Sequence, residues 1–276
     1  MRSTSTQPVP GTVVSRDGTP IAFETTGEGP AVVLVASALA DRRDTRRLAA
    51  LLARHHTVVN YDRRGRGASG DHHDYTVRRE IDDIAALVDH VGGTAALFGS
   101  SSGAVLALRA AAADIGVTKL ALYEPPFVVR RDTGFGPPAD FTDRLTGLLS
   151  TGDRAGAVRA FMTDAQGMPS PLVGLMRLVP GVWSTLTGLA HTLPYDLAVL
   201  GDTQHGAPLP ADEWAGARCP TLVLTGGKSP AGFHDAARAL AELLPRARHH
   251  TLPGLGHGAV MQAPRKLAST LTDYLR

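Results

Sequence analysis

The sequence predicts an α/β protein, a mostly parallel doubly wound sheet interrupted by a helical cap insertion. Three observations carry that expectation. Short apolar runs without alternation recur along the 276 residues, patterns of helical period lie between them, and one long segment has helical pieces but no strand-like run. Runs without alternation mark strands buried on both faces, and strands that alternate with helices are joined in parallel by crossovers.

Thr12 to Glu24 holds Asp17-Gly18 between β-prone runs, which reads as a hairpin. The buried-strand runs follow as Ala31 to Val35, Thr57 to Tyr61, Ala95 to Phe98, Leu120 to Tyr123 and Thr221 to Thr225. Among the helical patterns, Ile81, Ile84, Val88 and Val91 share one face at spacings of 3, 4 and 3. A second runs from Ala104 to Ala113 and is closed by Gly116; a third runs from Ala236 to Leu244. From Pro125 to Leu209, about 85 residues carry helical pieces rich in Met, Leu, Val and Pro, too many for a crossover. The expected division is therefore a core of residues 1–124 and 210–276 with a helical cap at 125–209.

Composition excludes several classes of function. With 43% hydrophobic residues, 20% charged residues and a mean hydropathy of −0.03, the chain is an ordinary globule. Its 28 Lys and Arg against 26 Asp and Glu leave no excess that argues for nucleic acid or acidic lipid, despite a pI of 8.9. The longest near-apolar stretch, Ala31 to Ala40, is about half what a spanning helix needs, so no membrane partner is expected. MRSTSTQPVPG lacks an apolar h-region and is not a secretory signal. A single cysteine, Cys219, excludes an intramolecular disulfide and a Cys-rich metal site and fits a cytoplasmic location. Oligomeric state has no signature.

Chemistry is concentrated at Gly99-Ser100-Ser101-Ser102-Gly103, a G-x-S-x-G string. It follows a strand-like run and opens a helical one, the setting in which a serine is held on a strained elbow with its hydroxyl exposed. The glycines two before and two after Ser101 fit a turn whose backbones pass too closely for side chains. A serine hydroxyl needs a base, and His257, in the Gly-rich loop Leu252 to Gly258, is the candidate. The adjacent pairs His55-His56, His72-His73 and His249-His250 read as solvated, with neighbours facing different sides and no metal site expected.

AVVLVASALADR, YDRRGRGASGD, FGSSSGAVLALRAA, LALYEPPF, CPTLVLTGGKSP and LPGLGHG together resemble the α/β-hydrolase superfamily, in its capped esterase- and lipase-like branch, over about residues 31–260. The resemblance implies the α/β-hydrolase fold, a serine nucleophile at Ser101, a histidine base at His257 and no cofactor. It assigns Asp62, Arg64, Gly65, Gly67 and Ser69 to a structural turn. That turn also satisfies the dinucleotide string G-x-G-x-x-G at Gly65 to Gly70, but the polar run from Asp71 to Asp74 stands where a helix should begin.

Two departures from the family pattern matter. The loop that usually begins His-Gly is here Ala36-Ser37-Ala38, so the oxyanion donors are expected to be the backbone N–H groups of Ala38 and Ser102. Where the family places an aspartate after TLVLT, this chain has Ser229, which reads as a helix N-cap ahead of Pro230. The replacement acid is expected at Glu124, held by Pro125 and Pro126; a surface glutamate opening the cap is the alternative.

The reading that follows is a serine hydrolase of hydrophobic small-molecule esters, thioesters or lactones, with Met162, Met176 and Trp183 expected in the substrate pocket. The altered loop and the missing aspartate keep two alternatives open. One is a cofactor-free lyase or cyclase using His257 as acid and base; the other is a non-catalytic binder of small molecules.

Overall fold

The computed structural model describes residues 7–132 and 134–276. Residues 1–6, within the stretch that lacks a secretory pattern, lie outside them. Eight strands form one sheet: β1 (Val9–Val14), β2 (Pro20–Thr26), β3 (Ala31–Val35), β4 (Thr57–Tyr61), β5 (Ala95–Ser100), β6 (Val117–Tyr123), β7 (Thr221–Gly226) and β8 (Ala247–Leu252). Their order is β1-β2-β4-β3-β5-β6-β7-β8. The hairpin β1–β2 turns at Asp17-Gly18, where Gly18 has φ +87°, and β2 joins β4 antiparallel. From β4 to β8 every pairing is parallel.

Helices cover both faces because both faces of the central strands are apolar. On one side pack α1 (Arg42–Leu52), α11 (Ala259–Gln262) and α12 (Pro264–Leu275), around Leu48, Phe98, Leu224 and Leu271. On the other pack α2 (Val77–His90), α3 (Ser102–Ala112), α9 (Ala211–Trp214) and α10 (Ala231–Leu243), around Val33, Leu97, Leu106 and Leu240. The spacing of Ile81, Ile84 and Val88 thus marks the buried face of α2, with Val91 its C-cap.

Between β6 and β7 the described chain is helical and adds no strand to the sheet. Ahead of α9 it carries α4 (Phe141–Ser150), α5 (Arg154–Ala160) continued by a wide π-turn at Phe161–Ala165, α6 (Ser170–Met176), α7 (Val182–Leu189) and α8 (Leu193–Leu200). These helices share an apolar cluster of their own, with Phe141, Leu145, Val158, Phe161 and Leu193. The cluster reaches the core at Leu39, in the loop after β3. Among the described residues, no helix is long and apolar enough to cross a membrane.

Candidate active site

The chemistry-bearing residues gather where the parallel strands end, the crevice that open α/β sheets use for ligands. Ser101 follows β5 with φ 53° and ψ −127° and is 5% exposed. Its N–H donates to the Tyr123 carbonyl at 2.9 Å, and α3 begins at the next residue. A Cβ on Gly99 would lie 2.3 Å from the Gly103 carbonyl oxygen, and one on Gly103 would lie 2.5 Å from those of Val35 and Ala36. The glycines therefore let strand, elbow and helix close on one another. Strain collects here: of four non-glycine residues with positive φ among those described, Leu39, Ser101 and Glu124 all border this crevice.

Glu124 directly follows β6, with its side chain fully buried. Its Oε1 accepts from the Gly226 N–H at 2.6 Å, and its Oε2 lies 2.7 Å from His257 Nδ1. His257, on the loop after β8, is held from two further directions. Phe233 of α10 stacks on its ring at 4.6 Å, and the Tyr123 hydroxyl donates to the carbonyl of Gly256 at 2.7 Å. The carboxylate that meets His257 thus comes from one strand nearer the elbow than Ser229. Ser229 caps nothing, because Pro230 with φ −52° and ψ 149° itself takes the N-cap position of α10 and the serine hydroxyl is unpartnered.

Ser101 and His257 line one cavity of about 460 Å³. No hydrogen bond joins the two side chains; in ligand-free sites this contact is often long and tightens around substrate. Four of the chain's five methionines, Met162, Met168, Met176 and Met261, line the same cavity. Met162 and Met176, expected in a substrate pocket, are among these. Trp183 is not: it packs into the apolar cluster of the helical segment with Arg177 over its ring at 5.3 Å. The reason is that α7 turns its aromatic face toward α5 rather than toward the crevice.

A second cavity, about 30 Å³, also borders Ser101 and is lined by Ser102, Phe141, Asp196, Leu197 and Leu200 among others. Among the described residues, the N–H groups of Ala38 and Ser102 have no internal acceptor. That of Ser102 is one of the free donors of a helix's first turn.

Beneath these two donors lies a buried ionic network that sequence reasoning missed. Arg63 makes a two-pronged pair with Glu80 at 2.7 Å and reaches Asp196 at 2.7 Å. Arg66 reaches the other Asp196 oxygen at 2.8 Å and the Ser37 carbonyl at 2.6 Å. Burial alone would raise the pKa of Asp196, but Arg66, Arg63 and the Ser102 hydroxyl outweigh it and hold the group below the usual carboxylate range. The available signal was a lone acid in the otherwise apolar run Leu193 to Leu200.

The segment Gly65–Gly70 is a turn and not the start of a helix, since α2 begins at Val77. A Cβ on Gly67 would strike the Asp62 carboxylate, which accepts from the Ala68 N–H at 2.8 Å. The histidine pairs follow expectation in part: His55, His73 and His250 are exposed, and their neighbours are not. His56 is 1% exposed and His249 is half-buried, its Nε2 2.8 Å from the Thr225 hydroxyl. His72 and His73 stack at 4.5 Å, and with Asp74 their ligating atoms lie within 4.8 Å of one another. Strand-like alternation does not apply to this turn, although Arg79 contacts His72 Nδ1.

Residues 32–270 match the model of the alpha/beta hydrolase family. Among solved structures, an alpha/beta hydrolase from Sphaerobacter thermophilus is 46% identical, with a TM-score of 0.88 over 96% of this chain and 100% of that one. The chain belongs to the alpha/beta hydrolase family and is a hydrolase by class. An enol-lactonase from Burkholderia xenovorans, at 23% identity and a TM-score of 0.73 over 96% of this chain and 99% of that one, shares the fold. So does an esterase from Rhodococcus, at 22% identity and 0.70 over 96% and 98%. No curated protein matches the chain.

Proposed function

We propose that the protein is a serine hydrolase of hydrophobic small-molecule esters, working through Ser101, His257 and Glu124. The observation that carries the reading is the 2.7 Å contact from His257 Nδ1 to the buried Glu124 carboxylate, beside a serine on a strained elbow. Glu124 fixes the imidazole with Nδ1 protonated, leaving Nε2 to act as base. Ser101 Oγ attacks the ester carbonyl carbon while its proton passes to Nε2, and the carbonyl oxygen, now an anion, is held by the N–H groups of Ala38 and Ser102. As the bond to the alcohol oxygen breaks, His257 returns the proton to that oxygen. Water then cleaves the acyl-enzyme by the same steps in reverse roles.

Residues 125–209 act as a cap in this reading, supported by the methionines of the helical segment that face the cavity. The substrate is an apolar small molecule, no cofactor takes part, and the single free cysteine suits a cytoplasmic protein. The test is a fluorophosphonate probe on the folded protein, followed by peptide mapping. Labelling of Ser101, abolished in Ser101→Ala together with ester hydrolysis, is the expected result. An unlabelled Ser101 with turnover intact in Ser101→Ala would move the chemistry to His257 alone.

A further inference from the structure

Ser101 stands between two chambers of very different size, about 460 Å³ and about 30 Å³. Ala38, Ser101, Phe161 and Gln166 line both, so the two chambers meet at the nucleophile. The small chamber has room on the order of one water or one methyl group. Which chamber takes which half of an ester follows from the reaction. The leaving alcohol must lie toward the group that protonates its oxygen, and His257 lines the large chamber but not the small one. The acyl group must extend from the carbonyl carbon away from that donor. Of the two proposed oxyanion donors, Ser102 lines the small chamber alone and Ala38 lines both, so the acyl carbon is held at the small chamber's mouth.

We propose that the enzyme is selective for short-chain acyl esters, acetyl above all, of bulky apolar alcohols. This rests on the serine-hydrolase reading above. The walls of the acyl side are stiff: Phe141 and Leu200 are buried in packed clusters, and Ser102 is bonded to Asp196. Each methylene beyond acetyl must displace such atoms or press on Asp196, Gln166 and Gln204, the polar side chains of the same wall, and in a tight pocket one methylene is worth about tenfold or more. The alcohol side is the reverse. Its walls include four thioether chains, which reshape at low cost around irregular apolar groups, and Met261 in that wall is 52% exposed.

The decisive experiment uses an isomeric pair of equal intrinsic reactivity, hexyl acetate and methyl heptanoate, with kcat/KM measured for each. Hexyl acetate is expected to be favoured at least tenfold, and p-nitrophenyl esters are expected to fall in kcat/KM from acetate to octanoate. Leu197→Ala, at a half-buried wall of the small chamber, should raise hexanoate relative to acetate about tenfold; Ala165→Val should lower acetate. Equal or reversed rates on the isomers, with Ser101 still labelled by fluorophosphonate, overturn the proposal alone. So does an acyl-length profile that Leu197→Ala and Ala165→Val leave unmoved. Absence of both turnover and labelling overturns the hydrolase reading and this proposal with it.

Discussion

The Ser102 hydroxyl donates a 2.8 Å hydrogen bond to Asp196, tying the first residue of α3 to a helix of the inserted segment. The second Asp196 oxygen takes Arg66, whose other nitrogen holds the carbonyl of Ser37. One buried carboxylate thus braces the two backbone segments that bear the proposed oxyanion donors. Asp196→Asn removes one of two anions facing two buried guanidiniums, a change that costs about 3–5 kcal/mol in comparable buried pairs. The expected result is a Tm lower by roughly 6–15 °C, with kcat falling more than KM changes. Ser102→Ala, which loses only the hydroxyl, should cost about 1–2 kcal/mol. Thermal unfolding and ester kinetics on both variants check this; an unchanged Tm in Asp196→Asn contradicts it.

Glu124→Gln keeps an acceptor for the Gly226 N–H but presents an amide to His257. If the amide nitrogen donates to Nδ1, the imidazole takes the wrong tautomer, as in serine hydrolases generally, where this costs about 10⁴ in kcat. Stability should change little, because size and the Gly226 bond persist. A kcat within tenfold of wild type would show that Glu124 does not orient the base.

Two glycine substitutions should move stability in opposite directions. Gly103→Ala drives a Cβ to 2.5 Å from two carbonyls of the β3 exit, backbone that cannot yield cheaply. Overpacking of this kind costs about 1–3 kcal/mol, and displacement of the Ala36 to Ala38 loop should depress kcat as well. Gly147 lies inside α4 with open space around its Cβ position. Gly147→Ala should therefore stabilise by about 0.5–1 kcal/mol. Urea midpoints measured side by side decide both signs.

The sheet was legible because its central strands are covered on both faces, so apolar runs such as Ala31 to Val35 stand out without any partner being known. The edge strand β8, ARHHTL, alternates half-buried and exposed residues and carries no such run. Ser101 and His257 announce themselves through local glycines, which at Ser101 the close backbone approach requires. Glu124 was legible only through the vacancy at Ser229 and the prolines behind it. The Arg63–Glu80–Asp196–Arg66 network was not, since its members lie up to 133 residues apart and buried ion pairs leave no local pattern. The same holds for His56: nothing in a polar run says which of two neighbouring imidazoles turns inward.

That inward turn has a measurable consequence. Burial pushes the pKa of His56 below its ordinary value, with His55, Arg276 and Lys119 adding to the effect and the Pro30 carbonyl offsetting part of it. Burial and the neighbouring His234 lower His249 in the same way. Both bind a proton more readily in the unfolded chain, whose histidines titrate near pH 6.5. Their contribution to stability then falls as pH drops from about 7 toward 5, since at these two groups the unfolded state takes up more protons over that window. Glu80 and Asp196 do not contribute there: their pKa values are held low, so their share of stability persists until the pH falls below about 4. His56→Leu should flatten the slope of urea midpoint against pH between 7 and 5, and His56→Leu with His249→Gln should flatten it further. A slope identical to wild type in the double variant would place the pH dependence elsewhere.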